Sequence, residues 1–132
     1  MSDPTADQVA DVELRLRADL ANLPIVRAVA AAVAMGADFT VDEIDDLRLA
    51  VDEACSQLIV LAAPGAELDC RFSREPAGVR FSASTRSHAG TAPATDTFGW
   101  HVLRTLADSV ETGLGEGVRP PVHITVRKLR QG

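Results

Sequence analysis

The chain has 132 residues, 13 basic and 19 acidic, for a net charge of −6, and 46% of them are hydrophobic. That is the length of one domain, able to bury about two-thirds of its unfolded surface, and it excludes a multidomain enzyme. The acidic balance excludes a uniform electrostatic grip on nucleic acid or on an anionic membrane.

Residues 1–10 are polar and read as a disordered tail, with a single domain over 11–130. The opening MSDPTADQVADVE is acidic and has no apolar run, so no signal peptide is expected. Val12, Leu14 and Leu16 alternate with Glu13, Arg15 and Arg17, the pattern of a half-buried strand. Asn22-Leu23-Pro24 opens a helix with proline in its first turn, and the Ala- and Val-rich run from Leu23 to Met35 carries it to a stop at Gly36. A helix so rich in alanine packs closely against a neighbour, either the sheet or a second subunit.

Thr40-Val41-Asp42-Glu43 spells a capping box, so a long helix is predicted over 41–62. Its apolar stripe is Ile44, Leu47, Val51, Ala54, Leu58 and Leu61. Ala63-Pro64-Gly65 ends it. Strands follow at 67–73 and 79–85 around the turn Glu75-Pro76-Ala77-Gly78. The small, polar segment 86–97 reads as a mobile loop. Phe98 to Ala107 reads as a short helix capped by Asp96 or Thr97, Val110 to Thr112 as a strand, 113–120 as a turn, and Val122, Ile124 and Val126 mark a last strand. The order β-α-α-β-β-loop-α-β-β predicts an α+β fold, a two-layer α/β sandwich whose antiparallel or mixed sheet is covered on one face. Regular β-α alternation, which a doubly wound fold needs, is absent.

Few motifs carry chemistry. Gly113-Leu114-Gly115-Glu116-Gly117 has neither dinucleotide-loop nor Walker spacing and reads as a hairpin turn. Ser87-His88 belongs to no triad pattern, and His88, His101 and His123 lack metal-ligand spacing. Cys55 and Cys70 are too few for a disulfide scaffold or a four-ligand zinc site and read as reduced thiols. The informative segment runs from Asp46 to Leu58. Glu53 and Gln57 lie four apart and share one helical face. The plain reading is a solvated face; the alternative is a carboxylate and an amide lining a pocket.

Leu49-Ala50-Val51-Asp52-Glu53-Ala54-Cys55-Ser56-Gln57 resembles the N-box helix of the GHKL ATPase superfamily, in the branch of bacterial anti-sigma factor serine kinases of RsbW and SpoIIAB type. That branch typically reads L-A-V-x-E-A-C-x-N here. The LRLAVDE run and Phe98-Gly99-Trp100-His101-Val102-Leu103 are most similar to the actinobacterial anti-sigma-F group of UsfX type. The resemblance implies the histidine-kinase-like (Bergerat) ATPase fold. It also implies an anti-sigma factor that sequesters an alternative, stress or sporulation-type sigma factor, as a cytoplasmic homodimer opposed by a STAS-type anti-anti-sigma protein, with no nucleic acid or membrane partner. Two other readings stay open: an active ATP-dependent serine kinase acting on the anti-anti-sigma protein, and a GHKL-fold binding module whose partner is not a sigma factor.

By the same resemblance Glu53 takes the place of the catalytic base, and Gln57 that of an Asn whose oxygen ligates Mg²⁺ beside ATP. Thr97 and Gly99 fall in the phosphate box, and Arg27 takes the place of a sigma-contacting arginine on the first helix. The departures are specific. Gln57 is one methylene too long for a metal that demands near-ideal octahedral geometry. The D-x-G-x-G expected after the third strand reads Ser82-Ala83-Ser84-Thr85-Arg86-Ser87-His88-Ala89-Gly90. The phosphate box keeps one glycine, Gly99, between Phe98 and Trp100, whose bulk is expected where phosphates would lie. No cofactor is therefore required by the sequence, ATP and Mg²⁺ are expected weakly if at all, and no metal site is expected apart from Gln57 in that case.

Overall fold

The computed structural model describes residues 10–131; all of the expected tail but Ala10 lies outside the described residues. Five strands, β1 (Val12–Arg17), β2 (Glu67–Glu75), β3 (Gly78–Arg86), β4 (Ser109–Leu114) and β5 (Pro121–Leu129), form one sheet in the order β1-β2-β3-β5-β4. Every neighbouring pair is antiparallel. Helices α1 (Leu23–Gly36), α2 (Val41–Leu61) and α3 (Phe98–Leu106) form the second layer. This is the two-layer α+β sandwich that the element order predicts.

The period of two sorts the strands. Leu68, Cys70 and Phe72 of β2, Val79, Phe81 and Ala83 of β3, and Val122, Ile124 and Val126 of β5 are fully buried on the helix side. Their alternates carry Asp69, Arg71, Arg80, Ser82, Thr125 and Arg127 on the other face. There Arg71 pairs with Glu13 and Asp69, Arg127 with Glu75, and Ser82 with Thr125. The register sets Phe72 against Phe81, with ring centroids 4.8 Å apart and tilted by 46°. The β2–β3 hairpin turns through Pro76 and Ala77, and Gly78 is required where it closes. A Cβ there would lie 2.0 Å from the Lys128 carbonyl oxygen of β5.

Helix α2 is the centre of the second layer, with Leu47, Ala50, Val51, Ala54, Cys55 and Leu58 wholly buried. Its capping box forms as spelled: Thr40 Oγ1 accepts from Glu43 N at 3.2 Å, and Glu43 Oε1 accepts from Thr40 N at 2.8 Å. Glu43 also accepts from Gln131 N, which pins the chain's end to the start of α2. Those backbone donors, Thr40 first, hold the Glu43 carboxyl below its usual pKa. The buried Cys55 thiol lies beside Cys70, and this neighbour together with burial pushes its pKa up, so it stays protonated and inert.

Several expectations are corrected. The close neighbour of the Ala-rich α1 is chiefly α2, against which Ala30 and Ala34 are buried. Gly36 is the last residue of α1; the left-handed conformation that ends the helix falls on Asp38, at φ 61°. Strand β4 runs on through Gly113 and Leu114, so the hairpin turn starts after them. The loop expected to be mobile is sewn down at its start. Ser87 is fully buried, its amide donates to the Pro120 carbonyl, and His88 N donates to the Leu61 carbonyl.

Candidate functional site

The 3.6-residue period places Asp52, Glu53, Ser56 and Gln57 on one half-buried face of α2, flanked by the exposed Leu49 and Val60. The two flanking helices lean on this face. From α1, Arg27 Nη1 donates to Asp52 Oδ1 at 2.9 Å, with the arginine side chain 40% exposed. Ser56 Oγ donates back to the Asp52 carbonyl, which fixes that turn of the helix.

Helix α3 arrives end-on. Thr97, not Asp96, caps it: Thr97 Oγ1 accepts from Trp100 N at 3.2 Å. Trp100 is 2% exposed and lies in the core, whereas Phe98 is 80% exposed. Neither therefore fills a phosphate position in the way the sequence suggests: one is the anchor of the helix and the other faces solvent. Between them Gly99 rests on the α2 pair. A Cβ at Gly99 would lie 2.9 Å from Gln57 Nε2 and 3.1 Å from Glu53 Oε1. The buried Gln57 Nε2 has no hydrogen-bond partner among the described residues, and nor has the Trp100 indole N–H.

The structure thus brings Glu53, Gln57 and Gly99 together and sets Arg27 on the residue next to Glu53. Thr97 is spent on the helix cap and is itself exposed. Sequence reasoning missed Asp52. Its place inside the LAVDE run is visible, but its partner lies 25 residues away on another helix, and no local period connects them.

The residues present do not fit magnesium and a nucleotide. The stretch from Ser82 to Gly90 at the end of β3 holds no carboxylate to receive an adenine amino group, and Thr85 Oγ1 there donates to the Glu67 carbonyl at 2.8 Å. Ser87 Oγ exchanges two 3.1 Å hydrogen bonds with the Thr91 backbone. A hydroxyl that donates keeps lone pairs to accept with, but it is a weaker acceptor than a carboxylate, and the phosphate-box glycine is docked against the side chains that would serve a metal.

A five-stranded antiparallel sheet backed by two long helices, with a carboxylate–amide pair on the central helix facing a third helix's glycine-containing start, defines the GHKL, histidine-kinase-like ATPase class. Residues 16–119 match the family described as Histidine kinase-like ATPase domain. The chain is 41% identical over 116 residues to the anti-sigma-F factor RsbW of Mycobacterium tuberculosis, in strain CDC 1551 / Oshkosh and equally in strain ATCC 25618 / H37Rv. That match covers 86% of this chain and 67% of the relative. The chain belongs to the histidine kinase-like ATPase domain family, in its RsbW-type branch. Among solved structures it is similar to the histidine kinase domain of the blue-light activated histidine kinase of Erythrobacter litoralis EL346, with a TM-score of 0.53 and 17% identity. It covers 81% of this chain and the chain spans 59% of that structure's length, a likeness of fold alone.

Proposed function

We propose that this protein is an anti-sigma factor, which binds an alternative sigma factor of the stress or sporulation type and keeps it from RNA polymerase. The observation that carries the reading is the 41% identity over 116 residues to an anti-sigma-F factor. The placement of Arg27 supports it. The guanidinium is fixed by Asp52 at the α1–α2 seam yet keeps 40% of its side chain exposed, an oriented donor that can still accept an acidic partner. In this reading the protein is a cytoplasmic homodimer, a STAS-type anti-anti-sigma protein competes for it, and the nucleotide site is degenerate. Among the described residues no helix is long and apolar enough to cross a membrane.

The test is direct. Purified chain is titrated with each alternative sigma factor of its own genome, and sigma-dependent transcription is measured in parallel. Submicromolar binding with loss of transcription supports the proposal. A protein that binds no sigma factor, yet pairs tightly with another protein, is instead a GHKL-fold module of different purpose.

A second reading, a serine kinase acting on the anti-anti-sigma protein, draws on Glu53, whose carboxylate faces the start of α3, while Gln57 and the missing carboxylate after β3 disfavour it. Transfer of phosphate to that partner, lost in Glu53→Gln, would establish it.

A further inference from the structure

Helix α2 turns one stripe outward between α1 and α3. Asp42, Asp45, Leu49, Glu53, Ser56 and Val60 follow one another at spacings of three, four, four, three and four residues, which a helix sets along a single line. None of them is buried. Leu49 is 52% and Val60 80% exposed, and Phe98, next to the glycine that meets Glu53, is 80% exposed as well. Three large apolar side chains disposed around one carboxylate differ from the scattered single hydrophobes of an ordinary surface. Among the described residues Asp42 and Glu53 have no hydrogen-bond or ion-pair partner, and Asp45 has only the exposed Arg48, at 3.2 Å.

The order of these residues selects one kind of occupant. A seam with three- and four-residue spacing is the line along which a second helix packs. That helix must set apolar side chains against Leu49, Val60 and Phe98 and cations against Asp42, Asp45 and Glu53, because a carboxylate desolvated without a cation is strongly unfavourable. A nucleotide, itself anionic, cannot supply that charge, and Gln57 does not fit the metal that would bridge the two. A protein that reads promoter DNA carries the complement, in helices rich in Lys and Arg that neutralise phosphates.

We propose that the outward stripe of α2, the face to which the ATPase resemblance assigns a nucleotide, is a docking surface for a basic amphipathic helix of the sigma factor. This rests on the sigma-binding reading and names the face used and the chemistry of the segment it takes. Covering such a helix hides the charges it would offer to promoter phosphates, so the docking itself contributes to inhibition.

Titration of the full chain with its sigma factor tests this. Leu49→Ser, Val60→Ser and Glu53→Lys should each weaken binding about tenfold or more with thermal melts nearly unchanged. Val118→Ser, 96% exposed between β4 and β5, should leave binding as it was. Salt gives a second readout: raising it from about 50 to about 200 mM should weaken the wild type more than Glu53→Gln. Carbodiimide coupling, which joins carboxylates to amines, gives a third. The chain's one lysine, Lys128, is buried beside Asp46, so links from Asp42, Asp45 or Glu53 should run to lysines on one sigma helix. Changing the linked lysine to glutamate should restore binding to Glu53→Lys. A wild type that binds a sigma factor, with affinity kept in all three variants, overturns this proposal and leaves sequestration standing. Variants that keep the sigma factor but lose the anti-anti-sigma protein or self-association do the same, and assign the stripe to that partner. A wild type that binds no sigma factor overturns both readings.

Discussion

Gly99 and Glu43 show how single residues set this structure. Gly99 lacks the one atom that would meet both Gln57 and Glu53, and alanine there must push two partly buried polar side chains aside. Because the atoms it meets are the far ends of two flexible side chains, and alanine gains about 1 kcal/mol over glycine within a helix, Gly99→Ala is expected to change stability by less than about 1 kcal/mol, read from denaturant midpoints. Glu43 works through charge. Its folded pKa lies below the unfolded value, so ionised Glu43 stabilises the fold above the ordinary carboxylate range, about pH 4.3. That contribution is lost as pH falls through the lowered folded value. Glu43→Gln is therefore expected to lower the melting temperature at pH 7 and to flatten its decline below pH 4.5, a comparison that thermal melts across pH 7 to 3 provide.

At the scale of elements the seams between helices matter most. Arg27 joins α1 to α2 through Asp52, and the same guanidinium is the proposed partner contact. The two roles separate in a pair of variants. Arg27→Ala is expected to weaken sigma binding by about 2–5 kcal/mol, the cost of losing one desolvated interface charge. Asp52→Asn, which frees the arginine without removing it, is expected to cost far less. Equal losses, measured by titration calorimetry, would mean that the seam rather than the arginine is what the partner reads. The α2–α3 seam has a different character. It is anchored by Trp100 in the core, while the Thr97 cap closes a hydrogen bond within α3 itself.

For the whole molecule this packing bears on nucleotide. The α3 start already rests on Glu53 and Gln57, and the end of β3 offers hydroxyls in place of a carboxylate. Magnesium-ATP is expected to bind with a millimolar dissociation constant or not at all, worth about −4 kcal/mol at most, and to leave sigma affinity unchanged. Gln57→Asn alone is not expected to restore tight binding, because the adenine and phosphate contacts are still missing. Calorimetry with magnesium-ATP, with and without the partner, checks both; a micromolar constant with Glu53-dependent phosphate transfer would reinstate the kinase.

What the sequence determined by itself was local. The capping box at Thr40 and Glu43, the alternation in β1, β2, β3 and β5, and the turn at Pro76-Ala77 are short-range periodicities and side chain–backbone contacts, and each formed where the residues spelled it. Glu53 and Gln57 were legible as neighbours for the same reason, since a helix fixes the spacing of residues four apart. The tertiary structure decided everything that joins distant segments. It chose α2 as the companion of α1, gave Arg27 to Asp52, buried Trp100 while turning Phe98 outward, and seated Gly99 on the α2 pair. Residue type could not settle these matters. Two aromatics flanking one glycine are equivalent in composition, and only the angle at which a helix meets its neighbour decides which of them enters the core.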